Sequence, residues 1–200
     1  MSKQKPKNVY EFKITLKDIK PKIWRKIQVP EDYNFWDLHV AIQYAMGWED
    51  YHLHQFEIMN PKTGDKVQIG MPDDDNMCGD ELVIETKARI AKYFLSPKDI
   101  ALYEYDFGDG WEHEIVLEKI LPAEPGTDYP KCIAGERACP PEDCGGPWGY
   151  EELLEIIKDP KHPEYTERIE WLGEDFDAEE FSPEEVEFDD PKERSDDVFA

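Results

Sequence analysis

The stretch "YEYDFGDGWEHEIVL", Tyr103 to Leu117, alternates side chains, breaks at Gly-Asp-Gly, and alternates again. Period-two alternation on both sides of a glycine-rich break is the signature of a β-hairpin. Asp-Gly is a favoured two-residue type I′ loop. If Asp109 and Gly110 form it, Phe107 faces Glu112 and Asp106 faces His113. Directly opposed side chains have Cβ atoms about 5 Å apart, within reach of a carboxylate–imidazole contact. That register puts Leu102, Glu104, Asp106, Trp111, His113, Ile115 and Leu117 on one face, and Tyr103, Tyr105, Phe107, Glu112, Glu114 and Val116 on the other. The pair would either lock the hairpin or orient an imidazole for chemistry, with Asp106, His113 and Asp109 as candidate catalytic groups. A slip of one residue abolishes it.

Outward from the hairpin, the chain reads as an α+β fold. "VYEFKITLKD" and "KIWRKIQVP" alternate as strands, Val9–Lys17 and Ile23–Val29. Asn34, with Asp37 three residues on, forms a capping box. Leu38, Ala41, Ile42 and Ala45 then share a helical face, and Gly47 suits the left-handed position that closes a helix. "HLHQFEIM" returns to period two, so the first sixty residues read β-β-α-β. "KARIAKYFL" predicts a short helix, and the Pro-, Gly- and Cys-rich stretch from Leu121 to Trp148 a long loop. Helices resume with Leu153, Leu154 and Ile157, and again from Pro163 through Ile169 and Leu172 to Gly173. The expected organisation is a basic arm (1–8), a roll-like domain with a mixed or antiparallel sheet (9–173), and an acidic extension (174–200) that docks through Phe176 to Phe188. From Glu174 to Ala200 there are 13 acidic residues against 2 basic ones.

A net charge of −24 opposes binding to phosphate backbones, where affinity rests on Lys and Arg. Cationic proteins, cations or small ligands match it better. The N-terminus lacks the apolar core of a signal peptide and no apolar run would span a bilayer, so a cytoplasmic location is expected. The kinase-like "DFG" has no glycine-rich phosphate loop, paired lysine or H-R-D to accompany it. In "GMPDDDNMCGDE", Asp73 and Asp75 keep step with a calcium loop, but Cys78 stands where glycine is required and Ile84 where a bidentate glutamate is.

Two metal sets remain. His52-x-His54 in a strand would leave one face about 6.6 Å apart along the chain. With a third ligand from His113, Asp106 or a cysteine, the pair would hold a metal such as zinc. His39 on the first helix reaches the same region. Phe56 and Ile58 continue that face, so two satisfied histidines at the edge of the core are the ordinary alternative. Cys132, Cys139 and Cys144 are spaced C-x6-C-x4-C, unlike the C-x2-C knuckle of zinc ribbons. Nearby Glu136, Glu142 and Asp143 disfavour a thiolate nucleophile.

"DLHVAIQYAMGWEDYHLHQFEI", "YEYDFGDGWEHEIVLE" and "YPKCIAGERACPPEDCGGPWGYEELLE" together resemble the signature blocks of the plasmid pRi open-reading-frame-three-like family, from about Val9 to Leu172. The resemblance implies a roll-like α+β domain and supplies no catalytic residues. Some relatives carry transposon-associated or resolvase-like labels, yet no basic patch or helix-turn-helix pattern for gripping DNA is present here. Three functions follow as expectations: a binding or regulatory module with a His/Asp cluster beside the cysteine loop, a metal-dependent hydrolase using that cluster, or a transposon-associated accessory protein acting by protein contacts.

Overall fold

The computed structural model describes residues 6–71, 82–173 and 176–198. The acidic loop with Asp73, Asp75 and Cys78 lies outside them. The strands are β1 (Asn8–Leu16), β2 (Trp24–Pro30), β3 (His54–Met59), β4 (Lys66–Gly70), β5 (Val83–Ile84), β6 (Ile100–Tyr105), β7 (Trp111–Pro122) and β8 (Lys131–Glu136). They form one mixed sheet in the order β5-β4-β3-β6-β7-β1-β2-β8, antiparallel except for β4 against β5. The helices are α1 (Phe35–Met46), α2 (Gly146–Lys158), α3 (Tyr165–Leu172) and α4 (Pro191–Val198). No helix among the described residues is long and apolar enough to cross a membrane. This is an α+β fold, and its first sixty residues run β-β-α-β as the periodicities require.

α1 begins and ends where its sequence signals place it. Asn34 accepts from the Asp37 amide, Asp37 returns the bond, and Gly47 closes the helix at φ 98°. Its apolar face packs with Phe12, Ile14, Ile27 and Phe56 from the sheet in one continuous core. The solvent face of the sheet carries cross-strand ion pairs such as Lys26–Glu118 and Lys119–Glu11. Arg25 departs from the alternation of polar and apolar sides: it is buried. Its guanidinium donates to the carbonyls of Ala45, at the C-terminal end of α1, and of Trp24 and Glu136, with the Phe181 ring 3.6 Å away. A cation there satisfies a carbonyl that the helix itself leaves unpaired.

Three expectations fail. The segment "KARIAKYFL" forms 3-10 turns at Glu85–Lys87 and Ile90–Lys92 instead of a helix. The long loop after Leu121 contains β8, an edge strand paired only with β2 among the described residues. The hairpin register also differs. Tyr105 faces Trp111 and Tyr103 faces His113, leaving Asp106 to Gly110 as a five-residue loop. A two-residue turn would have turned Glu104 and Asp106 inward with Trp111 and exposed two tyrosines. The observed register buries Tyr103 and Tyr105 beside Trp111, His113 and Ile115. Burying these two aromatic rings outweighs the turn preference of Asp-Gly. The Asp106–His113 pair therefore does not form.

Candidate functional site

The five histidines divide into separate environments, and His52, His54 and His113 do not converge. His113 is fully buried, its Nδ1 3.3 Å from the Tyr103 carbonyl and its ring edge-on to Trp48. Burial pushes its imidazole down to about 4. His54 begins β3 and turns into the core, while His52 lies just before the strand and points elsewhere. His162 is remote from both clusters, in the connection between α2 and α3.

His54 and His39 stack with ring centroids 3.4 Å apart and planes within 5°. His54 Nε2 is 2.7 Å from Glu85, and His39 Nε2 is 2.9 Å from Asp50, which Arg194 also meets at 3.1 Å. On the other side, Gln43 donates to the Tyr103 oxygen at 2.8 Å, so the Tyr103 hydroxyl donates to His39 Nδ1 at 2.9 Å. The proton of His39 then sits on Nε2, facing Asp50. Burial, followed by the neighbouring His54 ring, holds the His39 imidazole down to about 3. His39, Asp50 and His54 are close enough to suggest a metal centre. However, imidazole lone pairs lie in the ring plane, so two parallel rings cannot both aim at one ion. His39 Nδ1 accepts from the Tyr103 hydroxyl, and its Nε2 lies against Asp50. This cluster is a hydrogen-bonded part of the core.

A second cluster lies at the surface where three segments meet. The hairpin loop supplies Asp106, the cysteine loop supplies Glu142 and Asp143, and the approach to β3 supplies His52. Nε2 of His52 is buried and makes no hydrogen bond. It stands 3.2 Å from Asp143 Oδ1, 3.7 Å from Asp106 Oδ2 and 3.8 Å from Glu142 Oε2. The carboxylates are held from behind. Asp106 Oδ1 accepts from the Gly108 amide, and Glu142 Oε1 accepts from the Glu49 amide and the Tyr105 hydroxyl. Asp106 and Asp143 both have φ 55°, a left-handed conformation uncommon for residues other than glycine. Asp109 serves as a tether, with its carboxylate accepting from the Gly145 amide. Gly146 is needed beside it, because a Cβ there would overlap the Asp109 carbonyl.

The thiols play no part in this arrangement. Among the described residues, no grouping of three metal-ligating side chains includes a cysteine, so Cys132, Cys139 and Cys144 do not form the expected set. Burial raises all three thiols above their ordinary range, Cys144 to about 12. Two cavities of about 320 and 390 Å3 lie beneath the C-terminal segment, lined in part by Cys132 and Cys139 respectively. Neither is lined by a histidine, so the mouth formed by the polar cluster is separate from both. Glu142 and Asp143 were visible in the sequence only as acids near a thiol. Their signal as ligands was conformational: each is brought to His52 by a loop some ninety residues away in sequence.

The plasmid pRiA4b ORF-3-like protein family model matches residues 8–185. The chain belongs to this family. Uncharacterized protein y4hQ of Sinorhizobium fredii is 38% identical over 176 residues, covering 86% of this chain and 84% of its own. The crystal structure of a protein of unknown function, MM3350 from Methanosarcina mazei Go1, superposes with a TM-score of 0.85 at 53% identity, covering 92% of this chain and 100% of that one. These relatives share the fold and leave the chemistry to be argued from the site.

Proposed function

We propose that this family member is a cytoplasmic binding module whose mouth holds one divalent transition ion, Mn2+ or Zn2+, through His52, Asp106 and Asp143, with Glu142 beside them. Residues 9–173 would form the binding domain, with 174–200 as an extension across it. The reading rests on His52 Nε2, a buried nitrogen without a hydrogen bond, facing three carboxylate oxygens at 3.2–3.8 Å. Donors bound at 2.0–2.2 Å to one ion lie about 3 to 4.4 Å apart. One imidazole with several carboxylates suits Mn2+ or Zn2+ better than calcium, which prefers oxygen alone, or copper(I), which prefers sulfur. Rear hydrogen bonds from Gly108, Glu49 and Tyr105 supply the outer-shell support such ligands have. A hydrolase would need an additional unengaged base. Asp106 is used as a ligand and Asp109 as a tether, which favours binding over catalysis.

Equilibrium dialysis against Mn2+, read by elemental analysis, tests this directly. One ion per chain is expected, with affinity reduced more than about tenfold in His52→Ala and unchanged when Cys132, Cys139 and Cys144 are all replaced by serine. Chelation should also lower the thermal midpoint, since an ion bound only by the folded chain stabilises it. Full retention of the ion in His52→Ala, or its loss only in the cysteine variant, would overturn the assignment.

A further inference from the structure

The segments that build the mouth also carry the most exposed large apolar side chains in its vicinity. Tyr51 and Leu53, flanking His52, are 72% and 60% exposed, Phe107 beside Asp106 is 49%, and Trp148, five residues beyond Asp143, is 84%. Their segments are laced together by hydrogen bonds. The Asp106 amide donates to the Leu53 carbonyl at 2.9 Å, and the Tyr51 amide to the Tyr105 hydroxyl at 3.0 Å. The Gly145 amide reaches Asp109 at 3.1 Å, which sets the start of α2, and hence Trp148, against the hairpin loop. Single exposed apolar residues are ordinary on any surface, but a cluster with two aromatic rings and a tryptophan is characteristic of a protein-binding site.

The charge of this face selects the occupant. Residues 47–54, 104–112 and 138–157 contain eleven carboxylates and no lysine or arginine, and only three of the eleven, Asp50, Glu112 and Glu155, are paired with a Lys or Arg from elsewhere among the described residues. A second copy would bring the same negative surface and a net charge of −24 against another −24, and nucleic acid would bring phosphates. We infer that the face around Tyr51, Leu53, Phe107 and Trp148 docks a basic segment of a protein partner, whose apolar side chains cover the exposed rings while its Lys or Arg side chains meet Glu49, Glu151 and Glu152. Bidentate and cation–π contacts favour arginine there. The residues that would contact the partner are other than the three proposed ion ligands, so docking is testable with the ion removed.

Three labelled twelve-residue peptides serve as probes in fluorescence anisotropy on the full chain, with and without EDTA: alternating Arg and Leu, alternating Glu and Leu, and alternating Arg and Ser. The Arg/Leu peptide is expected to bind with or without chelator and to keep measurable affinity at 0.3 M salt. The Arg/Ser peptide should bind weakly and lose affinity in salt, and the Glu/Leu peptide should not bind. Trp148→Ala and Phe107→Ala should each weaken the Arg/Leu peptide at least about tenfold. Trp171→Ala, an exposed tryptophan on α3, should leave it unchanged. Equal binding of the Arg/Leu peptide to wild type and Trp148→Ala would overturn the proposal. So would a wild-type dimer in sedimentation that Trp148→Ala dissolves, because the occupant would then be a second copy.

Discussion

Between pH 7 and pH 4 the protein should lose roughly 5 kcal/mol of folding stability through two histidines alone. His39 and His113 are fully buried and held down to about 3 and about 4. In the unfolded chain each takes up a proton near pH 6.5. Between pH 6.5 and the folded values, the unfolded state therefore binds more protons and acidification favours it. The loss begins as pH falls through about 6.5 and levels off below about 3. Protonation of surface carboxylates relieves the repulsion from a net charge of −24 and works the other way. Urea midpoints across this range measure the sum. NMR separates the terms: two imidazole resonances of the folded protein should keep their neutral positions down to pH 5. Ring resonances of His39 or His113 that titrate between pH 6 and 7 in the folded state would contradict the assignment.

Glu85→Ala should destabilise the fold by about 1–3 kcal/mol, the range for leaving a buried polar group unsatisfied. Glu85 is fully buried 2.7 Å from His54 Nε2, and its loss leaves that imidazole nitrogen without a partner. His54 is already packed against Trp36, Phe56 and His39. Removing both polar groups, in His54→Phe/Glu85→Leu, should therefore recover most of the loss, since two apolar groups of similar size leave nothing unpaired. Chemical denaturation of the single and double variants gives the comparison. A single variant within about 0.5 kcal/mol of wild type would mean that the contact contributes little, against the usual cost of leaving a buried polar group unpaired.

The elements read correctly from sequence were those with local causes. Asn34, Asp37 and Gly47 delimit α1 by bonds and a backbone angle within a few residues, and β1 to β3 follow from alternation. Features decided by distant partners were not legible. β8 has an irregular composition and owes its strand conformation to pairing with β2. The hairpin register is set by the need to bury Tyr103 and Tyr105, a demand that outweighs the turn dipeptide. The candidate site shows the same division. His52 and Asp106 were identifiable as chemistry-bearing residues, but Asp106 turned toward His52 instead of His113. Glu142 and Asp143 became candidates only once the cysteine loop folded against the hairpin.

Arg194 joins the C-terminal segment to this region by meeting Asp50, the carboxylate that orients His39 two residues before His52. Trp36 Nε1 donates to the Pro191 carbonyl, and Arg137 pairs with Glu179, so the acidic extension is fastened at several points. Phe176, Phe181 and Phe188 pack against the core, in the stretch through which docking was expected.

Electron spin echo spectroscopy of Mn2+ added to chelator-stripped protein asks whether one imidazole nitrogen binds the ion. The spectrum should show modulation from a single directly coordinated nitrogen, absent in His52→Ala and unchanged in Cys144→Ser. Modulation that survives in His52→Ala, or a bound Mn2+ with no nitrogen ligand in the wild-type protein, would contradict a metal centre at His52, Asp106 and Asp143.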